Sequence, residues 1–136
     1  MTATFTPAVY MRKAEAALAG ARLLLNAGDT DGACSRAYYA MFDAAHAALF
    51  ALGVEEASAP IKTHNGLIAK FGQNLVRGNH LAAEHGEALN IVQRFRQVAD
   101  YTGDPVSQDD AAWAVAKAED FIAAIKILLE KPIHAG

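Results

Sequence analysis

SRAYYAMFDAAHAALFALG, running from Ser35 to Gly53, is the stretch that decides the fold. Tyr38, Phe42, Ala45, Leu49 and Leu52 recur at steps of four, three, four and three residues. That spacing places side chains along one face of an α-helix, whereas a half-buried strand would alternate every second residue. Gly53 is a stop signal at its end. Just upstream, NAGDTD (Asn26 to Asp31) supplies a glycine stop and then Asp and Thr as N-cap candidates. The spacing therefore predicts a helix from about Thr30 to Gly53.

The same reading extends in both directions. Pro7 opens a first helix from about Ala8, with Val9, Leu18, Ala21 and Leu25 at helical spacings. VEEASAPIKT reads as a loop, and Thr63 caps a shorter helix over HNGLIAKFGQNLV, which Gly66 and Gly72 weaken. After the break at Arg77 to Asn79, a fourth helix from about Leu81 to Tyr101 carries Leu89, Val92, Phe95 and Ala99. TGDP ends it, and Ser107 caps a fifth that presents Ala114, Ala118, Phe121, Ile125 and Leu128 on one face. The expected fold class is all-α: an antiparallel up-and-down four-helix bundle with one additional short helix. One domain is expected over residues 1–136, with its core from about Ala8 to Leu129 and a frayed tail over 130–136.

Composition narrows the function classes. Hydrophobic residues form 53% of the chain, enough for a substantial core, although much of that share is alanine. A formal net charge of −3 gives no overall attraction to nucleic acid or acidic membranes, so any phosphate site must be a local cluster of arginine or lysine. Cys34 is the single cysteine, which excludes an intramolecular disulfide and a cysteine-rich metal site. The stretch from Met1 to Leu18 does not read as a signal peptide and no apolar run reaches membrane length, so a cytoplasmic location is expected. Neither a metal nor a cofactor is expected, because phosphate-loop, zinc and calcium motifs are absent and the five histidines are not paired at ligand spacing.

Local patterns single out a few residues. His64 and Asn65 follow the Thr63 cap at a helix start, where free backbone N–H groups favour an anion. Arg36 and Tyr39 share a side of the second helix, next to the apolar side that holds Tyr38 and Phe42. In RFRQVADYTGDP (Arg94 to Pro105), Arg96 and Asp100 stand four apart, the spacing of an intrahelical ion pair. Tyr101 reaches Arg96 only through a distorted helix end or across a dimer interface. His46 reads as a partly buried or surface residue; His80 and His85 read as solvent-facing, and His134 falls in the tail.

SRAYYAMFDAAHAAL, the following KTHNGLI segment with its F-G, and R-x-x-x-D-Y before a loop resemble small stand-alone prokaryotic HEPN proteins (higher eukaryotes and prokaryotes nucleotide-binding). The resemblance implies a helical bundle that is usually dimeric and often paired with a minimal nucleotidyltransferase in a toxin–antitoxin system. Many such proteins are metal-independent ribonucleases whose signature is Arg, four to six residues, then His. Histidine takes the proton of the ribose 2′-OH while arginine stabilises charge on the phosphate. In this chain the residue after Arg96 and four more is Tyr101, a phenol with an ordinary pKa near 10 and a poor base at neutral pH. The expectation is a dimeric protein that binds nucleotide or RNA phosphate through Arg96, supported by Arg36, Tyr39, Asp100, His64 and Asn65, with a degenerate ribonuclease motif. Two alternatives stand beside it: a metal-independent ribonuclease toxin using Tyr101 or His64 with Arg96, and a non-catalytic interaction module.

Overall fold

In a computed structural model, which describes residues 5–56 and 59–131, the chain forms α1 (Pro7–Asn26), α2 (Thr30–Ala51), α3 (His64–Phe71), a π-helical turn (Gly72–Val76), α4 (Ala83–Thr102) and α5 (Gln108–Glu130). No strand is present among the described residues, only an isolated bridge between Glu56 and Ala59. The all-α expectation holds. The expected starts of α1, α2, α3 and α5 hold to within one residue because side-chain caps set them. Thr6 accepts from Val9 N, Asp29 from Gly32 N, Thr63 from Gly66 N and Ser107 from Asp110 N. Gly103, in the left-handed conformation at φ 77°, closes α4 with its N–H on Ala99 O.

Two details depart from the sequence reading. α4 begins at Ala83, not Leu81, because Leu81 N and His80 N are held by Leu75 O in the preceding turn. The short third helix is α-helical only to Phe71; it then widens into the π turn, whose last N–H reaches back from Arg77 to Gly72 O. Of the tail, residues 132–136, including His134, lie outside the described residues.

α2 is the hub and packs against each of the other helices. Its large side chains Tyr38, Met41 and Leu49 are fully buried, and so are Ala33, Ala37, Ala40, Ala44, Ala45, Ala47 and Ala48 around the rest of its circumference. Alanine contributes little area but lets neighbouring backbones approach closely. α2 thus touches α5, whose facing positions include buried Ala111, Ala114 and Ala118, as well as α1 and α4. The short α1–α2 and α4–α5 turns reverse the chain. Val106 N, just past α4, donates to Asp31 Oδ1 at the start of α2 (2.7 Å), which sets α4 antiparallel to α2.

The chain between α2 and α3 is anchored from inside. Glu55 is 1% exposed; one carboxylate oxygen is 2.5 Å from His46 Nδ1 and the other accepts from Ile61 N at 3.0 Å. His46 is itself buried, contrary to the partly exposed position expected from sequence. Tyr10 stacks on its ring at 4.8 Å and Phe42 meets it edge-on. This pair holds the loop that leads into α3 and so sets where His64 lies. Removing one partner of a buried pair leaves the other, and here a backbone N–H, without a bond. Glu55→Ala should lower the unfolding free energy by about 3 kcal/mol and Glu55→Gln by less, measured by urea denaturation. Wild-type stability in Glu55→Ala would contradict the anchoring role.

Candidate functional site

Three helices deliver side chains to one cluster. α2 contributes Tyr38, Tyr39 and Phe42; α3 contributes His64 from its first position; α4 contributes Arg96 and Gln93. Tyr38 lies fully buried, with its hydroxyl 2.8 Å from His64 Nδ1. The Arg96 guanidinium carbon sits 4.6 Å from the Tyr38 ring centre and 4.9 Å from that of Tyr39. One Arg96 nitrogen donates to Gln93 Oε1 at 2.7 Å, and another makes a long contact of 3.5 Å to Tyr39 Oη. The His64 ring lies 4.8 Å from Phe42, 5.5 Å from Tyr38 and 6.0 Å from Tyr39, centre to centre. Arg96 and His64, far apart in sequence, thus meet the same pair of tyrosine rings.

The expected Arg96–Asp100 ion pair does not form: none of the ion pairs among the described residues involves Arg96. An exposed pair at this spacing is worth about 0.3–0.5 kcal/mol. A guanidinium over aromatic faces gains about 0.5–2 kcal/mol, more as it is desolvated, and Gln93 adds a hydrogen bond at short range. Arg96 therefore turns inward. Asp100 stays exposed and lines a small cleft with Asp31, Ser35 and Arg96, of which Asp31 is engaged by Val106 N. Both hydrogen-bond partners of the half-buried Arg96 are neutral oxygens.

The electrostatics follow from this packing. Burial pushes the Tyr38 phenol up to about 12, and the Arg96 charge offsets only part of that rise. Burial also lowers the His64 pKa, helped by the Arg96 charge and then by His46. Cys34 is buried, and burial raises its thiol to about 11, so it is not an activated nucleophile.

The remaining expected site residues are dispersed. Arg36 and Tyr39 line an open cleft of about 520 Å³ between α1 and α2, together with Lys13, Phe42 and Asp43. Tyr39 is the shared wall between that cleft and Arg96. Asn65 is exposed beside His64 and makes no side-chain hydrogen bond to a described residue. Tyr101 is 92% exposed and is not brought to Arg96 within the chain. Gln93, a buried polar side chain on α4, belongs to the site without having been singled out; its three-residue offset from Arg96 is the one local signal for it. Among the described residues, no group of three or more His, Cys, Asp or Glu is placed to hold a metal. No helix there is long and apolar enough to cross a membrane.

A family model described as the HEPN domain matches residues 8–128. A UPF0332 protein of Gloeobacter violaceus is 37% identical over 114 residues, covering 82% of this chain and 86% of that protein. A Methanocaldococcus jannaschii protein named "Putative toxin MJ0142" is 30% identical over 128 residues, covering 93% of this chain and 84% of its own. A UPF0332 protein of Thermotoga maritima is 31% identical over 123 residues, with 89% of each chain covered.

The lowered His64 pKa makes a signed prediction. Followed by NMR, His64 should titrate below the ordinary value of 6.5, and Arg96→Met should move the midpoint up by removing a nearby positive charge. Because the folded-state value is the lower one, the unfolded chain binds more protons as pH falls through 6.5. The contribution of His64 to stability is then full above that pH and lost on acidification. A midpoint at or above 6.5, unmoved in Arg96→Met, would contradict the geometry.

Proposed function

Because the chain belongs to the HEPN family, we propose that it is a toxin-type member that holds RNA or nucleotide phosphate at Arg96, over the Tyr38 and Tyr39 rings, without the family's ribonuclease chemistry. The observation that carries this reading is the state of Arg96. It is half-buried, held in place by Gln93 and two aromatic faces, and it has no carboxylate partner among the described residues. A positioned guanidinium whose hydrogen-bond partners are neutral is already oriented for an anion, although Asp31 and Asp100 line the same small cleft. The Methanocaldococcus jannaschii relative named "Putative toxin MJ0142" supports the toxin-type role.

Cleavage of RNA without a metal needs a group that removes the 2′-OH proton, and loss of such a group typically costs about two to four orders of magnitude in rate. The family's histidine position holds Tyr101, which projects into solvent. Aromatic walls suit bases as well as phosphate, and the open cleft that Tyr39 and Phe42 border with Lys13, Arg36 and Asp43 is the place this reading gives to the neighbouring nucleotide of a single strand. Dimerisation is part of the proposal. Val98 and Tyr101, 53% and 92% exposed and three apart on α4, offer a second copy an exposed pair on a side of α4 turned away from Arg96. A minimal nucleotidyltransferase is the further partner that the family resemblance suggests, and co-purification tests it.

Binding of a labelled short single-stranded RNA, followed by fluorescence anisotropy, should weaken about 10- to 100-fold in Arg96→Ala, the range for one charge-assisted hydrogen-bonding group. Arg96→Lys should recover only part of it. Equal binding by all three proteins, at matched thermal stability, would remove the assignment. In EDTA the purified protein should leave the RNA intact. Cleavage to cyclic phosphate ends that disappears in Arg96→Ala would instead make it an active ribonuclease.

A further inference from the structure

The hydrogen bond between α2 and α3 has a direction, and that direction fixes what His64 offers a ligand. Tyr38 has no exposed surface, and its hydroxyl has one hydrogen-bond partner among the described residues, His64 Nδ1 at 2.8 Å. A buried phenol carries a proton that needs an acceptor. If Nδ1 bore the imidazole proton, the two hydrogens would face each other or the phenol would be left without an acceptor. Nδ1 must accept, and a neutral imidazole then carries its proton on Nε2. Burial and the Arg96 charge keep the ring neutral at and above neutral pH. Nε2 makes no hydrogen bond to a described residue.

We infer that Tyr38 holds His64 as an Nε2–H donor, so that His64 joins the Arg96 guanidinium in binding one phosphate group of the RNA. This rests on the phosphate reading of Arg96 given above. The two groups are neighbours on the same ring pair, 4.6 and 4.9 Å for Arg96 and 5.5 and 6.0 Å for His64. They come from α4 and α3, so a bound phosphate ties these two helices across α2. In this state the imidazole has no free lone pair, since Nδ1 is occupied by Tyr38 and Nε2 is protonated. It can give a hydrogen bond to a phosphate oxygen but cannot take the 2′-OH proton. Tyr38 is thus a positioning residue: it acts through His64 and touches no ligand.

The test uses the full chain labelled with ¹⁵N. Long-range ¹H–¹⁵N correlation near pH 7.5 should show His64 with a pyrrole-type Nε2 and a pyridine-type Nδ1, and Tyr38→Phe should give a mixture of tautomers. With the short RNA, the His64 Nε2 resonance should shift at saturation. His64→Gln, whose amide N–H can replace the Nε2–H donor, should bind within about three-fold of wild type, whereas His64→Ala should bind about ten-fold or more weakly. An Nδ1–H tautomer in the wild type overturns the role of Tyr38 while leaving the Arg96 site in place. Equal loss in His64→Gln and His64→Ala, or no loss in either, overturns the donor role of His64. Absence of RNA binding by the wild type, whatever its tautomer, overturns the phosphate reading and the shared site with it.

Discussion

The ring of Tyr38 is the constraint on which the rest of the structure turns. It is sealed at the centre of α2, yet it carries a guanidinium against its face and an imidazole on its hydroxyl. An arginine and a histidine brought this close in a low-dielectric setting would repel if both were charged. The histidine stays neutral, the direction in which burial first and the Arg96 charge second move its pKa. The cationic character of the cluster is thereby concentrated on Arg96. The alanines around α2 make the arrangement possible, since they let α1, α4 and α5 close around one helix while its bulkiest side chains meet the site.

His64 reaches Tyr38 only because the chain after α2 is pinned. Glu55 binds His46 with one oxygen and Ile61 N with the other, so the loop before α3 is tied to the body of α2 one turn from Phe42. Thr63 then caps α3 and His64 opens it. Site and core are continuous here. Substitutions at Arg96 or Tyr38 change packing as well as charge, which is why conservative replacements at matched stability carry the information.

Much of the fold was legible in the sequence. The four-three spacing from Tyr38 to Leu52 and the caps at Asp29, Thr63 and Ser107 are local signals, and local geometry obeys them. The site was legible only in part. Arg96, His64 and Tyr39 were each singled out on different grounds, but their convergence depends on contacts 26 and 57 residues apart, which no spacing rule encodes. The ion pair expected between Arg96 and Asp100 obeyed the helix geometry and lost to the tyrosine faces, an energy available only once α2 and α4 have packed. Glu55 left no trace in the pattern. A glutamate in a polar loop reads as solvated until the fold closes over it.

The most direct test of the central claim is a crystal structure of the protein with a short single-stranded RNA bound. A phosphate oxygen within hydrogen-bond distance of the Arg96 guanidinium, with His64 Nε2 on the same group and Tyr38 still on Nδ1, is the predicted result. RNA phosphate bound instead along Lys13 and Arg36, with the Arg96 guanidinium still packed on Tyr38 and Tyr39 and touching no ligand, would contradict it and make Arg96 a structural residue.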